Sequence, residues 1–224
     1  MTGNLENHPS TKWKMQFEPL VPTGYFFGRI EDDVISDKTY DKCIAWVEKN
    51  KDNPQQLSVA DNIFDSKYED IIIPDTVQCF QDVIIHIDDI ILEFTNNQLE
   101  LEGIWAQHME TGSSTALHAH VSPFDGANQH DLSFVFYLQA DESHGEIKFP
   151  LNIDGVSYTK TFFPNRGGLI VFPSHCPHFV IRNKSKTPRV VISGNYRKKG
   201  CRERAKLFFE HQEKLKEIEN GASS

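Results

Sequence analysis

The spacing of apolar residues changes character near Leu99, and that change divides the chain. The first hundred residues read as mixed, with helices dominating. Ser36 or Asp37 caps a short helix that runs to about Asn50 and turns Tyr40, Ile44 and Val47 inward. A second helix is marked more strongly. Asp75 follows Pro74 with Gln78 three residues on, an N-terminal capping pattern. Beyond it Val77, Phe80, Ile84, Ile87, Ile91 and Phe94 recur at helical spacing and make one broad apolar face. Asn96 and Asn97 end it.

From Leu99 the period is two. The alternation predicts strands at Leu101–Glu110, Thr115–Val121, Leu132–Gln139, Gly145–Phe149, Thr159–Phe163, Gly168–Phe172, Phe179–Asn183 and Val190–Tyr196. Eight short strands separated by Gly, Pro, Asn and Asp signals point to a mainly β fold with flanking helices, a jelly roll of the double-stranded β-helix kind. After Gly200 the pattern is helical again, with Ala205, Leu207, Phe208, Leu215 and Ile218 among many charges, and a surface-packed C-terminal helix is expected over 201–219. The expectation is a single domain: 1–98 as mixed, largely helical support, 99–197 as the β core, and the terminal helix.

Composition narrows the class. The chain has 224 residues, 38% of them hydrophobic, and its 16 Phe are spread along it, which argues against disorder. It has no run of 18 apolar residues and its N-terminus lacks the basic-then-apolar pattern of a secretory signal, so neither a membrane span nor export is expected. The four cysteines, Cys43, Cys79, Cys176 and Cys201, form no Cys-x-x-Cys pair, and reduced thiols in a cytoplasm are the expectation. A net charge of −9 argues against non-specific nucleic-acid binding, which needs clustered cations. The basic stretch of Arg197, Lys198, Lys199, Arg202 and Arg204 reads as decoration on the approach to the terminal helix.

Three local signals carry chemistry. In Leu117-His118-Ala119-His120-Val121, residues i and i+2 of a strand share a face, so both imidazoles project together and can chelate a first-row divalent metal. Downstream, the apolar strand Gly168–Phe172 runs into the turn Pro173-Ser174-His175-Cys176-Pro177 and delivers His178 at the head of the next strand. His178 suits a third metal ligand better than His175, which sits inside the turn. The third signal is Arg189-Val190-Val191-Ile192-Ser193-Gly194-Asn195, where alternation puts Arg189, Val191, Ser193 and Asn195 on one face. An inward arginine and serine are costly to bury without an anionic partner, and a guanidinium holds a carboxylate through two parallel hydrogen bonds. The same parity puts Tyr137 beside Ser133 and Val135, where its phenol can donate to that carboxylate. Taken singly, each signal has a plain structural explanation: satisfied histidines, a solvent-facing turn, an ordinary salt bridge at a sheet edge.

Their order is more specific. His-x-His, a Phe-Tyr-Leu strand, a Gly-Glu-Ile-Lys-Phe strand, Gly-Gly-Leu-Ile-Val-Phe-Pro-Ser, His178 and then Arg189 resemble the iron(II)/2-oxoglutarate-dependent oxygenases, above all the small prolyl-hydroxylase-like branch of bacteria and phages. The resemblance covers roughly Trp105 to Arg197. It implies iron(II) held by His118, position 120 and His178, and 2-oxoglutarate as co-substrate with its far carboxylate on Arg189, assisted by Ser193 and Tyr137. It also implies molecular oxygen as a reactant, a prime substrate that is a peptide or protein side chain, and succinate and carbon dioxide as products. The chain departs from the family at position 120, which is His where the family has Asp or Glu. A three-histidine site is the preferred reading, with Asp125 and Asp131 as competitors for the acidic role. Two other functions fit the same elements: a cupin-type metal-dependent dioxygenase or isomerase, and a non-catalytic jelly-roll module that binds an anion through Arg189.

Overall fold

The computed structural model describes residues 3–4, 13–20, 23–53, 70–96, 98–120, 131–153 and 156–200. The expected C-terminal helix lies outside these residues. Two antiparallel sheets make the jelly roll. The larger runs in the order β1 (Gly3–Asn4), β2 (Trp13–Leu20), β3 (Thr23–Ile30), β10 (Gly168–Pro173), β7 (Leu132–Gln139), β12 (Arg189–Lys198), β5 (Leu99–Met109), β4 (Asp70–Ile72). The smaller is β6 (Thr115–His118), β11 (His178–Val180), β8 (Ile147–Ile153), β9 (Val156–Phe162). Helices α1 (Asp37–Asn50) and α2 (Gln78–Phe94) complete the described elements together with a short 3-10 turn at Glu142–His144.

The helices follow from their faces. Ser36 caps α1 by accepting from the Thr39 amide, and Tyr40, Cys43 and Val47 are buried on one side. α2 is capped differently from the sequence expectation. Its N-cap is Val77 with no side-chain bond, and Gln78, the first helical residue, donates instead to Asp82 at 2.8 Å, one turn along the same face. Phe80, Val83, Ile84, Ile87, Ile90 and Ile91 form its buried stripe. That stripe packs on the outer face of the larger sheet, against Ile104, Ala106, Phe134, Phe136, Val190 and Ile192. The inner face, turned toward the smaller sheet, encloses a separate cluster of Tyr137, Ile147, Phe149, Phe162, Ile170, Phe172 and Val191.

Strand β12 is central to both clusters. It pairs with β5 through Ser193↔Trp105 and with β7 through Ser193↔Val135. The close fit of the three strands depends on Gly194: a Cβ there would lie 2.5 Å from the Phe134 ring and 2.9 Å from the Gly103 carbonyl. The strands at 13–20 and 23–30 were not anticipated by the sequence reading, and β8 starts later than expected because Gly145 turns the chain at φ +86.

Candidate metal centre

The sheet register builds the site. β6 and β11 pair with His118 directly opposite His178, so the two rings approach to 4.3 Å between centroids. β6 ends at His118, two residues short of His120, and Val121 lies outside the described residues. The parity argument for His118 and His120 nevertheless has its geometric counterpart, because the His120 amide is held by the Ser174 carbonyl at 2.9 Å and its ring stacks 5.5 Å from that of His118. His120 and His178 rings lie 5.1 Å apart. The ligand atoms of His118, His120 and His178 all fall within 4.8 Å of one another.

The donor set fits a transition metal on a further ground. Each ring has Nδ1 against an oxygen acceptor: His118 on the Ala116 carbonyl at 2.9 Å, His178 on the Cys176 carbonyl at 3.0 Å, His120 on Asn195 Oδ1 at 3.0 Å. Carbonyl oxygens only accept, so the proton sits on Nδ1 and Nε2 is left with its lone pair for an ion. Burial, and then the neighbouring His120 and His118, hold His178 well below the ordinary histidine range, which keeps it in the neutral, ligating form. Phe149 and Phe172 wall His178 at 5.5 and 4.7 Å between centroids. The remaining sequence candidates lie elsewhere. His175 is exposed in the turn, Asp131 is exposed and accepts from the Lys198 amide at 2.7 Å, and Asp125 lies outside the described residues.

Arg189 is 1% exposed on the inner face of β12. Its Nη1 donates to the carbonyls of His144 and Gly145, each at 3.0 Å, and Nη2 meets the Met109 sulfur. These bonds run across to the start of the smaller sheet and fix the plane of the guanidinium. Glycine is required at 145, because a Cβ there would lie 2.2 Å from the Ile181 carbonyl. Tyr137 is buried beside Arg189; burial pushes its phenol up to about 12, against the smaller pull of the guanidinium. Ser193, 3% exposed, lies between Arg189 and Asn195 on the same face.

Sequence reasoning gave no role to three residues that organise this region. Asn183 donates from Nδ2 to the Met109 and Thr187 carbonyls at 3.0 and 3.1 Å, and so fixes the loop that sets the eleven-residue interval from His178 to Arg189. Ser133 and Ser174, both fully buried, lie 2.8 Å apart, and Ser133 donates to Asn195 Oδ1 at 2.8 Å. The inward parity of Asn195 was the available signal, since a buried amide must find partners.

Residues 104–197 match the family model described as the 2OG-Fe(II) oxygenase superfamily. The fold is similar to a prolyl-4-hydroxylase of Pseudomonas putida, at 19% identity, covering 81% of this chain and 96% of that one, with a TM-score of 0.58. It is also similar to the collagen prolyl hydroxylase of Paramecium bursaria Chlorella virus-1, solved as a 2OG complex (16% identity, 77% and 94% covered, TM-score 0.56). A third likeness is the Trichoplax adhaerens prolyl hydroxylase in complex with a peptide fragment of the hypoxia inducible factor oxygen degradation domain (13%, 83% and 88%, TM-score 0.61). No curated protein shows significant sequence similarity to the chain. The matched stretch contains β6, β7, β11 and β12 and includes His118, His120, His178, Tyr137 and Arg189, so the segment that is similar to the 2OG-Fe(II) oxygenase superfamily is the one that builds this site.

Proposed function

We propose that the protein is an iron(II)- and 2-oxoglutarate-dependent dioxygenase that hydroxylates a side chain of a peptide or protein, with release of succinate and carbon dioxide. The observation that carries this reading is the convergence of His118, His120 and His178 inside a barrel whose interior also holds a buried arginine. When bound, iron(II) with 2-oxoglutarate supplies the oxidation, coupling reduction of oxygen to decarboxylation of the co-substrate and transfer of one oxygen atom to a C–H bond.

The chain's own residues do the rest. The three imidazoles hold the ion through Nε2. Arg189, its plane set by the His144 and Gly145 carbonyls, receives the far carboxylate of 2-oxoglutarate, and Ser193 lines the path toward the histidines. Tyr137 keeps its proton at any physiological pH and donates to the same carboxylate. Phe149, Phe162, Ile170 and Phe172 keep water from the enclosed space. A peptide or protein substrate is favoured by the likeness to prolyl hydroxylases, one of them solved with a peptide. No described helix is long and apolar enough to cross a membrane, and Cys43, Cys79 and Cys176 are free thiols, which suits the cytoplasm as the working compartment.

The test is anaerobic addition of iron(II) and 2-oxoglutarate. A weak visible charge-transfer band is expected, followed by succinate formation when oxygen is admitted. Absence of both removes the reading; a band without peptide-stimulated succinate removes only the peptide substrate.

A further inference from the structure

The three histidines are not held alike. His118 and His178 each lean on the carbonyl two residues earlier in the chain, contacts that the local backbone supplies whatever the neighbouring side chains are. His120 leans on a side chain 75 residues away, Asn195 on β12. It is also the histidine that stands where the superfamily pattern has a carboxylate. A carboxylate at that position presents equivalent oxygens and has no tautomer to choose. An imidazole does: with the proton on Nε2 it cannot coordinate an ion through that atom.

The surroundings of Asn195 make it a fixed acceptor. Its Oδ1 receives both His120 Nδ1 and the Ser133 hydroxyl, at 3.0 and 2.8 Å. Ser133 lies 2.8 Å from the Ser174 hydroxyl, and the Ser174 carbonyl accepts from the backbone amide of His120. His120 is therefore clamped at its amide and at its ring by a single network that begins at the fully buried Ser174. Asn195 faces the barrel interior because β12 alternates, and its register with Ser133 brings the amide to the hydroxyl.

We propose that Asn195 is a positioning residue for the metal centre, setting the Nδ1–H tautomer and ring plane of His120, and that it is the counterpart in this chain of the change from carboxylate to histidine at position 120. This rests on the reading of the three histidines as metal ligands. A partner that orients a ligating histidine is typically worth roughly 10- to 100-fold in metal affinity.

The test uses the full chain and cobalt(II), whose affinity is read by competition with a chelator and whose visible spectrum reports ligand geometry. Asn195→Ala is expected to weaken cobalt(II) binding by about 10- to 100-fold and to alter the spectrum, while the metal-free protein still folds and unfolds cooperatively. In a His120→Asp background the same Asn195→Ala change is expected to have little effect, because the ligand no longer has a tautomer to fix. Independently, imidazole nitrogen shifts in the metal-free protein should show His120 protonated at Nδ1 in the wild type and as a mixture of tautomers in Asn195→Ala. Equal losses in the two backgrounds, or an unchanged His120 tautomer in Asn195→Ala, overturn the proposal. Failure of the wild type itself to bind cobalt(II) sinks instead the metal reading on which it rests.

Discussion

The two faces of β12 hold different kinds of surface, although they belong to one ten-residue strand. On the side toward the helices stand Val190, Ile192 and Tyr196, embedded in the cluster that α1 and α2 cover. On the barrel side stand Arg189, Val191, Ser193 and Asn195, of which three are polar. Both sides are almost wholly shielded from water, so burial does not distinguish them. The distinction is what burial does on each side. The outer face removes a continuous apolar surface from water and holds the sheet to its helices. The inner face buries polar groups that need partners, and it supplies some of them from the protein while aiming others at the space between the sheets. Stability and chemistry are thus assigned to opposite faces of the same strand.

Substitutions on the two faces should separate these roles. The largest effect is expected at His178. His178→Ala removes one of three imidazoles, and iron-dependent turnover of 2-oxoglutarate should fall to background while thermal unfolding stays cooperative. If His175→Ala gives that loss and His178→Ala does not, the site has been drawn around the wrong histidine. The contrast is Phe80→Ala on α2, fully buried on the helix side. It should lower the unfolding free energy by about 3–5 kcal/mol while leaving cobalt(II) affinity per folded molecule as it was. A weakened metal site in that variant would show that the two faces are coupled.

The next largest effect is expected at the other end of the inner face. Losing one partner of a buried, hydrogen-bonded ion pair costs on the order of 3–5 kcal/mol, roughly 100- to 5,000-fold in affinity. Arg189→Ala should weaken 2-oxoglutarate by that much, and Arg189→Lys should also be poor, because an ammonium cannot reproduce the two-pronged contact. Anaerobic titration of the charge-transfer band measures it. An unchanged affinity in either variant removes Arg189 from the co-substrate's binding site.

The sequence was most readable where structure is local. The strands of the jelly roll announce themselves by period two and by Gly and Pro breaks, and Leu132–Gln139 has the expected bounds. Errors gather where a distant partner decides. β3 exists as part of the sheet because Gly168 and Val171 pair with Arg29 and Phe26, some 140 residues earlier, and no nearby residue signals that pairing. Asp75 has the right residue type and spacing for a cap, yet the chain turns so that the Val77 amide bonds the Pro74 carbonyl and the helix starts two positions too late for it. The candidate site shows the same division. Parity places Arg189, Ser193 and Asn195 on one face from sequence alone, but the contact between Asn195 and His120 needs the folded barrel. The grip of the His144 and Gly145 carbonyls on Arg189 is equally invisible, since those acceptors are backbone atoms.

The smallest effect tests the outer face through a polar contact with α2. The Tyr196 hydroxyl donates to Asp88 on that helix. Burial raises the Asp88 carboxyl above its ordinary value and Asp89 adds to the rise, while the bond from Tyr196 opposes it. A carboxyl raised on folding binds its proton more tightly in the folded chain than in the unfolded one. Its contribution to stability is therefore complete below the unfolded value, about 3.9, and is lost as pH climbs through the folded value. Asp88→Asn keeps an oxygen that can accept from Tyr196 and removes the titration. The unfolding free energy of the wild type should fall relative to Asp88→Asn as pH rises across that window, by denaturant titration at a series of pH values. Cobalt(II) affinity should remain the same in both proteins at each pH, because Asp88 lies across the sheet from the histidines. A constant stability difference would mean that Asp88 is not raised, and a divergence in metal affinity would mean that β12 transmits charge from one face to the other.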